Sequence, residues 1–251
     1  MGIVRQQSIR SSVFIYLGFA VGAFNVLVLF THYLTAEQYG LMQLLLGIGL
    51  LTSSLATLGT VPVINKFFPF YNDYLSPKKN DLPLLTIFIC LAGFFLFVIC
   101  SIIFKGLIIR KYSVNSPLFI RYYFLIYPVT FFLLLFTVLE SFAWGLKKTV
   151  LTNFLRETIV RIYATPLIIM VALGWLGFDG FIKTYSFLYA LPVIILLFSL
   201  VKSGRFQLHP HISHVTRRLK RKMLIFSSYI FGGNIFNLLA KSKIVRDACR
   251  E

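Results

Sequence analysis

Residues 41–66 read LMQLLLGIGLLTSSLATLGTVPVINK, a stretch apolar and long enough to cross a bilayer as a helix. It nevertheless carries Gln43, Thr52, Ser53, Ser54, Thr57, Thr60 and Asn65. Wound at about 3.6 residues per turn, Leu44, Ile48, Leu51, Leu55 and Leu58 form one apolar stripe. Gln43, Ser53, Ser54, Thr57 and Thr60 fall on the opposite half with Gly47 and Gly49, and Thr52 sits at the border. A helix with a lipid face and a face of small and polar residues belongs in a bundle. Two readings of the polar face stand. Either the hydroxyls bond their own helix carbonyls and the glycines allow close packing, or the face lines a wet cavity. On the second reading Gln43, Ser53, Ser54, Thr57 and Thr60 are cavity residues.

The composition of the whole chain agrees with that setting. Of its 251 residues 58% are hydrophobic and 13% charged, with mean hydropathy +0.82. A water-soluble domain needs far more polar surface, so the chain reads as an all-α integral membrane protein; the alternating pattern of a membrane barrel is missing. A formal net charge of +17 would suit nucleic acid. The basic residues instead lie between apolar runs, where they act as topology signals and contact anionic lipid headgroups. No nucleic-acid partner is expected.

Outward from 41–66, the apolar runs predict six spans and part of a seventh. Val13–Tyr33 is the first, preceded by Arg5 and Arg10 and too long for a cleaved signal. Gly18 and Gly22 give it a small-xxx-small contact, and Asn25, on the same face, aims at the bundle interior. After residues 41–66, a loop to Pro83 carries Lys66, Lys78 and Lys79, with Phe67, Phe68, Phe70, Tyr71 and Tyr74 as an interfacial aromatic belt. Leu84–Phe104 is the third span. Leu118–Glu140 is the fourth, with Pro128 expected to kink it. The fifth runs from Asn153 to Trp175 and the sixth is Thr184–Val201. Residues 1–201 are thus a six-helix lobe, 202–222 a basic loop including Arg205, Arg217 and Lys222, and 223–251 a partial seventh helix with a polar basic tail. The run Met223–Ala240 is weakened by Gly232, Gly233, Asn234 and Asn237.

The distribution of Lys and Arg places the N-terminus inside. Inner segments then hold Arg5, Arg10, Lys66, Lys78, Lys79, Lys147, Lys148, Arg156, Arg161 and the basic residues of 202–222. Outer connections hold none, then Lys105, Arg110, Lys111 and Arg121, then Lys183. The tail breaks the pattern: if Met223–Ala240 crosses, Lys241, Lys243, Arg246 and Arg250 come to lie outside.

No catalytic constellation stands out, and no cofactor is implied. Cys90, Cys100 and Cys249 make neither a disulfide framework nor a metal spacing. His209, His211 and His214 form His-Pro-His-x-x-His on a basic loop without a carboxylate nearby, which reads as solvated histidines rather than a metal site. There is no phosphate loop, HExxH or GxSxG motif. The charges inside or beside the apolar spans are the informative ones. Arg156 and Arg161 either hold an anionic group such as a diphosphate in the cavity or snorkel to the inner headgroups with Glu157 as partner. Lys66 and Glu140 read as snorkelling.

The start of the chain also resembles a known family. Gly2 to Arg10 leads into Tyr16-Leu17-Gly18, Gly22 and Asn25; Leu34-Thr35-Ala36-Glu37-Gln38-Tyr39-Gly40-Leu41 follows, then Asn65-Lys66-Phe67-Phe68-Pro69. These stretches look like the polysaccharide-export or O-antigen flippase branch of the multidrug/oligosaccharidyl-lipid/polysaccharide (MOP) exporters, with L-T-x-E-x-Y-G-L the most specific piece. The resemblance implies two six-helix lobes in a bacterial inner membrane, facing each other across a cavity. Through it a polyprenyl-diphosphate-linked oligosaccharide would be flipped by alternating access, without catalytic residues. This chain matches one such lobe, so a second lobe, a second copy or a truncated product is expected. The rival readings are an inactive fragment, a cation-coupled drug exporter and a membrane-embedded glycosyltransferase. The exporter would need an acidic residue deep in the lobe. The glycosyltransferase would need a sizeable outer loop with acidic or His residues.

Overall fold

The computed structural model describes residues 3–76, 79–112, 116–204, 206–207 and 211–248. Lys78, Arg205, His209, Pro210, Cys249 and Arg250 lie outside the described residues. The described residues are all-α. The first helix, α1, runs Ile3–Phe24, widens to a π-helical stretch at Asn25–Phe30 and ends with Thr31–Tyr33. Then come α2 (Ala36–Ala56), α3 (Thr60–Tyr74), α4 (Leu82–Ile103) and α5 (Lys105–Tyr112), followed by a short α6 (Pro117–Arg121). Next are α7 (Ile126–Gly145), entered through a 3-10 turn at Tyr123–Leu125, and α8. That helix starts at Thr149–Asn153, passes through a π-helical stretch at Phe154–Ile159 and continues as Val160–Ala172. The chain closes with α9 (Phe178–Tyr185), α10 (Ala190–Lys202) and α11 (His214–Ala248).

Among the described residues, five helical segments are long and apolar enough to cross a membrane: Ser8–Tyr33, Ala36–Ala56, Leu82–Ile103, Tyr123–Gly145 and Phe178–Lys202. Helices suit such a setting because each satisfies its own backbone groups. The most buried segment, Tyr123–Gly145, is the hub, packing against α2, α3, α4 and α10. Pro128 lies in the first turn of α7, where its missing N–H costs no intrahelical bond.

The L-T-x-E-x-Y-G-L stretch has a local physical explanation. Thr35 Oγ1 accepts from Gln38 N at 3.3 Å, and Gln38 Oε1 accepts from Thr35 N at 3.0 Å. This is a capping box at the start of α2, with Glu37 adding a negative charge at the positive helix end. Leu34 and Tyr39, on either side of the box, both join one hydrophobic cluster.

Residues 41–66 are not one helix. The chain breaks at Leu58 and Gly59, whose φ angles are 50° and 75°, and restarts as α3. A broken helix leaves carbonyls unpaired, and the polar residues of this stretch serve them. Thr60 Oγ1 donates to Thr57 O at 2.7 Å, and Ser227 Oγ of α11 donates to Leu58 O at 2.6 Å. Gly93 of α4 lets the carbonyl of Ala56 approach so closely that a Cβ there would collide with it.

Two hydrophobic cores result. One gathers Phe68, Phe136, Phe142, Leu155, Leu196 and Met223; the other gathers Phe30, Leu45, Phe119, Ile168, Phe181 and Tyr185. Phe67, Phe68 and Tyr71 are buried in the first, so of the expected aromatic belt only Phe70 and Tyr74 are exposed. The glycines and asparagines of residues 232–237 do not interrupt α11, which is continuous and begins inside the expected basic loop. Its start is pinned. Ser213 Oγ accepts from Thr216 N at 3.2 Å, while Asp81 Oδ2 accepts from Ser213 N at 2.9 Å and from Thr216 Oγ1 at 2.7 Å. The Tyr71 hydroxyl lies 2.6 Å from Thr216 Oγ1. Burial, reinforced by the Asp81 charge and opposed by the Thr216 hydrogen bond, pushes this phenol up to about 12, so it docks neutral.

Candidate functional site

The charged residues of α8 and α7 meet beside the first hydrophobic core. Leu155, next to Arg156, and Leu139 and Phe142, which flank Glu140, belong to that core, and Tyr189 packs against both cores. Alongside the charges is a cavity of about 380 Å³. Arg156, Glu157, Val160 and Arg161 form its α8 wall, and Leu133, Phe136 and Thr137 its α7 wall. Leu50 and Tyr189 complete the lining.

The π-helical turn at Phe154–Ile159 sets the register of the α8 wall. Such a turn widens the helix by one residue and is often found at functional positions. Arg156 pairs with Glu140 of α7 and lies over the Phe136 ring, 5.5 Å from its centroid. Arg161 pairs with Glu157 at 2.9 Å in the i, i+4 arrangement. Neither pair uses all its polar atoms: Arg161 Nη1 and Glu140 Oε1 are enclosed and have no hydrogen-bond partner among the described residues. Two guanidiniums and two carboxylates therefore share the seam, with one donor and one acceptor unmatched. An arginine carries five N–H donors, so each can take a second anion beside its carboxylate.

Helix α1 holds α8 in place. A Cβ at Gly18 would collide with the Glu157 carbonyl, and one at Gly22 would come within 2.7 Å of Arg161 Cδ. Asn25 is buried; its Nδ2 donates to Arg161 O at 3.1 Å and its Oδ1 accepts from Thr165 Oγ1 at 3.0 Å. The small-xxx-small face with its asparagine is thus the α1–α8 contact, and Asn25 supports the arginine wall from behind.

The other sequence candidates are placed elsewhere. Ser53 is buried and donates to Leu50 O at 3.0 Å; Thr57 is buried and donates to Ser54 O at 2.7 Å. Thr60 is buried at the start of α3 beside Cys90, 3.0 Å away. Gln43 is exposed and donates to Tyr39 Oη at 2.8 Å, and Ser54 is exposed. None of the five lines the cavity of Arg156 and Arg161; the hydroxyls of Ser53, Thr57 and Thr60 bond local carbonyls instead. The structure brings Arg156, Arg161 and Asn25 together and leaves the polar residues of 41–66 apart. Sequence reading missed Glu140 as the partner of Arg156, along with Thr137 and Tyr189. Glu140 is 2% exposed, which snorkelling does not allow. A lone carboxylate ending an uncharged apolar run was the available signal.

No family model, no curated protein and no solved structure matches this chain.

Proposed function

We propose that the chain is one lobe of a membrane transporter that flips a polyprenyl-diphosphate-linked oligosaccharide, in the manner of the MOP exporters its N-terminal stretches resemble. The observation that carries this reading is the pair of arginines on one cavity wall, one with a free Nη1. Guanidiniums match a diphosphate bidentately, and in a cavity among apolar helices they discriminate strongly for an anion. On this reading α8 is the fifth of six spans, crossing with its charges turned to the cavity, and α11 supplies a partial seventh. The N-terminus lies in the cytoplasm of a bacterium with the lobe in the inner membrane. A second lobe, or a second copy, faces the arginine wall. Alternating access then consists of exchanging the carboxylate partners of Arg156 and Arg161 for the diphosphate and back.

One observation favours the cation-coupled exporter as a second reading. That reading needs an acidic residue deep in the lobe, and Glu140 is buried there with an unmatched oxygen. The two are separated in proteoliposomes holding a fluorescent short-chain polyprenyl-diphosphate sugar, scored by the fraction a membrane-impermeant reductant reaches. Flipping by the protein, abolished in Arg161→Gln, supports the first reading. No flipping, together with proton-gradient-driven efflux of a cationic dye that Glu140→Gln abolishes and Arg161→Gln spares, replaces it with the second.

A further inference from the structure

Away from the arginine cavity, α3 and α11 run side by side and leave a groove between them. Two adjoining hollows of about 310 and 540 Å³ make it up, sharing Phe70, Leu219 and Lys222. Its α11 side is a single stripe at helical spacing: His214, Arg218, Lys222, Ile225 and Tyr229, all exposed. The first three are basic or polar and the last two apolar, so the α11 stripe changes polarity once along the groove. The α3 side presents Tyr74, Phe70 and Lys66. Lys66 Nζ rests 4.1 Å from the centroid of Phe226, which holds the ammonium over an aromatic floor.

The charge of this groove is uncompensated. Arg121, Arg156 and Arg161 each pair with a carboxylate, whereas Lys66, Arg218 and Lys222 have none within ion-pair distance among the described residues. Asp73 is exposed on α3 and does not line the groove. Asp81 is already engaged by Ser213 and Thr216 at the start of α11.

We propose that the α3–α11 groove binds one anionic phospholipid, its phosphate held by Arg218 and Lys222 and its acyl chains lying on Phe70, Phe226 and Ile225. Charge complementarity selects an anion. The aromatic and aliphatic floor beyond the charges selects an amphiphile, since a bare phosphate would leave that surface unused. Lipid here would bridge α11 to α3 beside the Leu58–Gly59 break. The site shares no residue with the arginine cavity and stands whatever that cavity transports.

The test uses a Tyr229→Trp variant in phosphatidylcholine vesicles doped with either brominated phosphatidylglycerol or brominated phosphatidylcholine. Fluorescence above that of the unsubstituted protein reports the added indole. At equal mole fraction the phosphatidylglycerol is expected to quench it more strongly. Each basic residue near an anionic headgroup adds about fivefold in affinity, so adding Arg218→Gln and Lys222→Gln should remove most of the preference. The charge-matched pair Lys105→Gln and Lys183→Gln should leave it intact. Equal quenching by the two lipids overturns the proposal, and that comparison needs no second variant to fold. Equal loss in the two charge-matched variants overturns it in favour of a diffuse surface potential. Reversal of the quenching by millimolar inorganic phosphate at constant ionic strength overturns it in favour of a free-anion site.

Discussion

Arg156 and Glu140 are partners, but they are not equally placed. The Glu140 side chain is 3% exposed and that of Arg156 is 39%. Removing Arg156 leaves a carboxylate enclosed without a counter-charge, whereas neutralising Glu140 leaves a guanidinium with access to water. Arg156→Ala should therefore lower the melting temperature in detergent more than Glu140→Gln. The difference should be about 2 kcal/mol, and the double variant should regain part of the loss. Equal shifts in the two single variants would show that the pair is solvated. That Arg161 pairs with Glu157 could be read directly from their spacing. The Arg156–Glu140 pair could not, because it joins separate helices at a place set by the π-helical turn, and nothing in Phe154–Ile159 announces that turn.

Among the elements, the passage from α2 to α3 shows most clearly what the sequence conveyed and what it withheld. Its polar residues were visible, and so was their clustering on one face. What could not be seen is that Leu58 and Gly59 turn left-handed, because Gly59 is followed by a proline-containing apolar run that continues the helical pattern. Once the break exists, Thr57 and Thr60 have freed carbonyls to serve, while Ser53 bonds Leu50 O within α2. Gly59 is required both by its φ of 75° and by Ser227 O, which a Cβ would approach to 2.7 Å. Gly59→Ala should cost about 1–3 kcal/mol, read from thermal unfolding in detergent. Gly40→Ala is the control: nothing lies within 4 Å of a Cβ there, and the substitution should be neutral or stabilising by about 0.5–1 kcal/mol. The capping box at Thr35 depends only on residues three apart, yet residues 34–41 were read for a family likeness and not as the start of a helix.

At the scale of the molecule, helix content and membrane character were legible because they follow from composition and from runs of about twenty apolar residues. The arrangement of helices around α7 was not, since it rests on contacts such as Gly18 with Glu157 that only the fold brings together. The location of the cavity has a direct check. In a background without native cysteines, Thr137→Cys and Val160→Cys should react with a water-soluble thiol reagent, while Ser53→Cys and Thr57→Cys should stay unreactive. Labelling of Ser53→Cys at the rate of Thr137→Cys would move the aqueous wall back to α2. The close approach of α1 to α8 has a mechanical meaning. With Gly18 against the Glu157 carbonyl and Gly22 against Arg161, α1 cannot slide along α8 without driving a larger side chain into it. The two helices therefore travel together, and the wall that holds Arg156 and Arg161 is carried by a double strut.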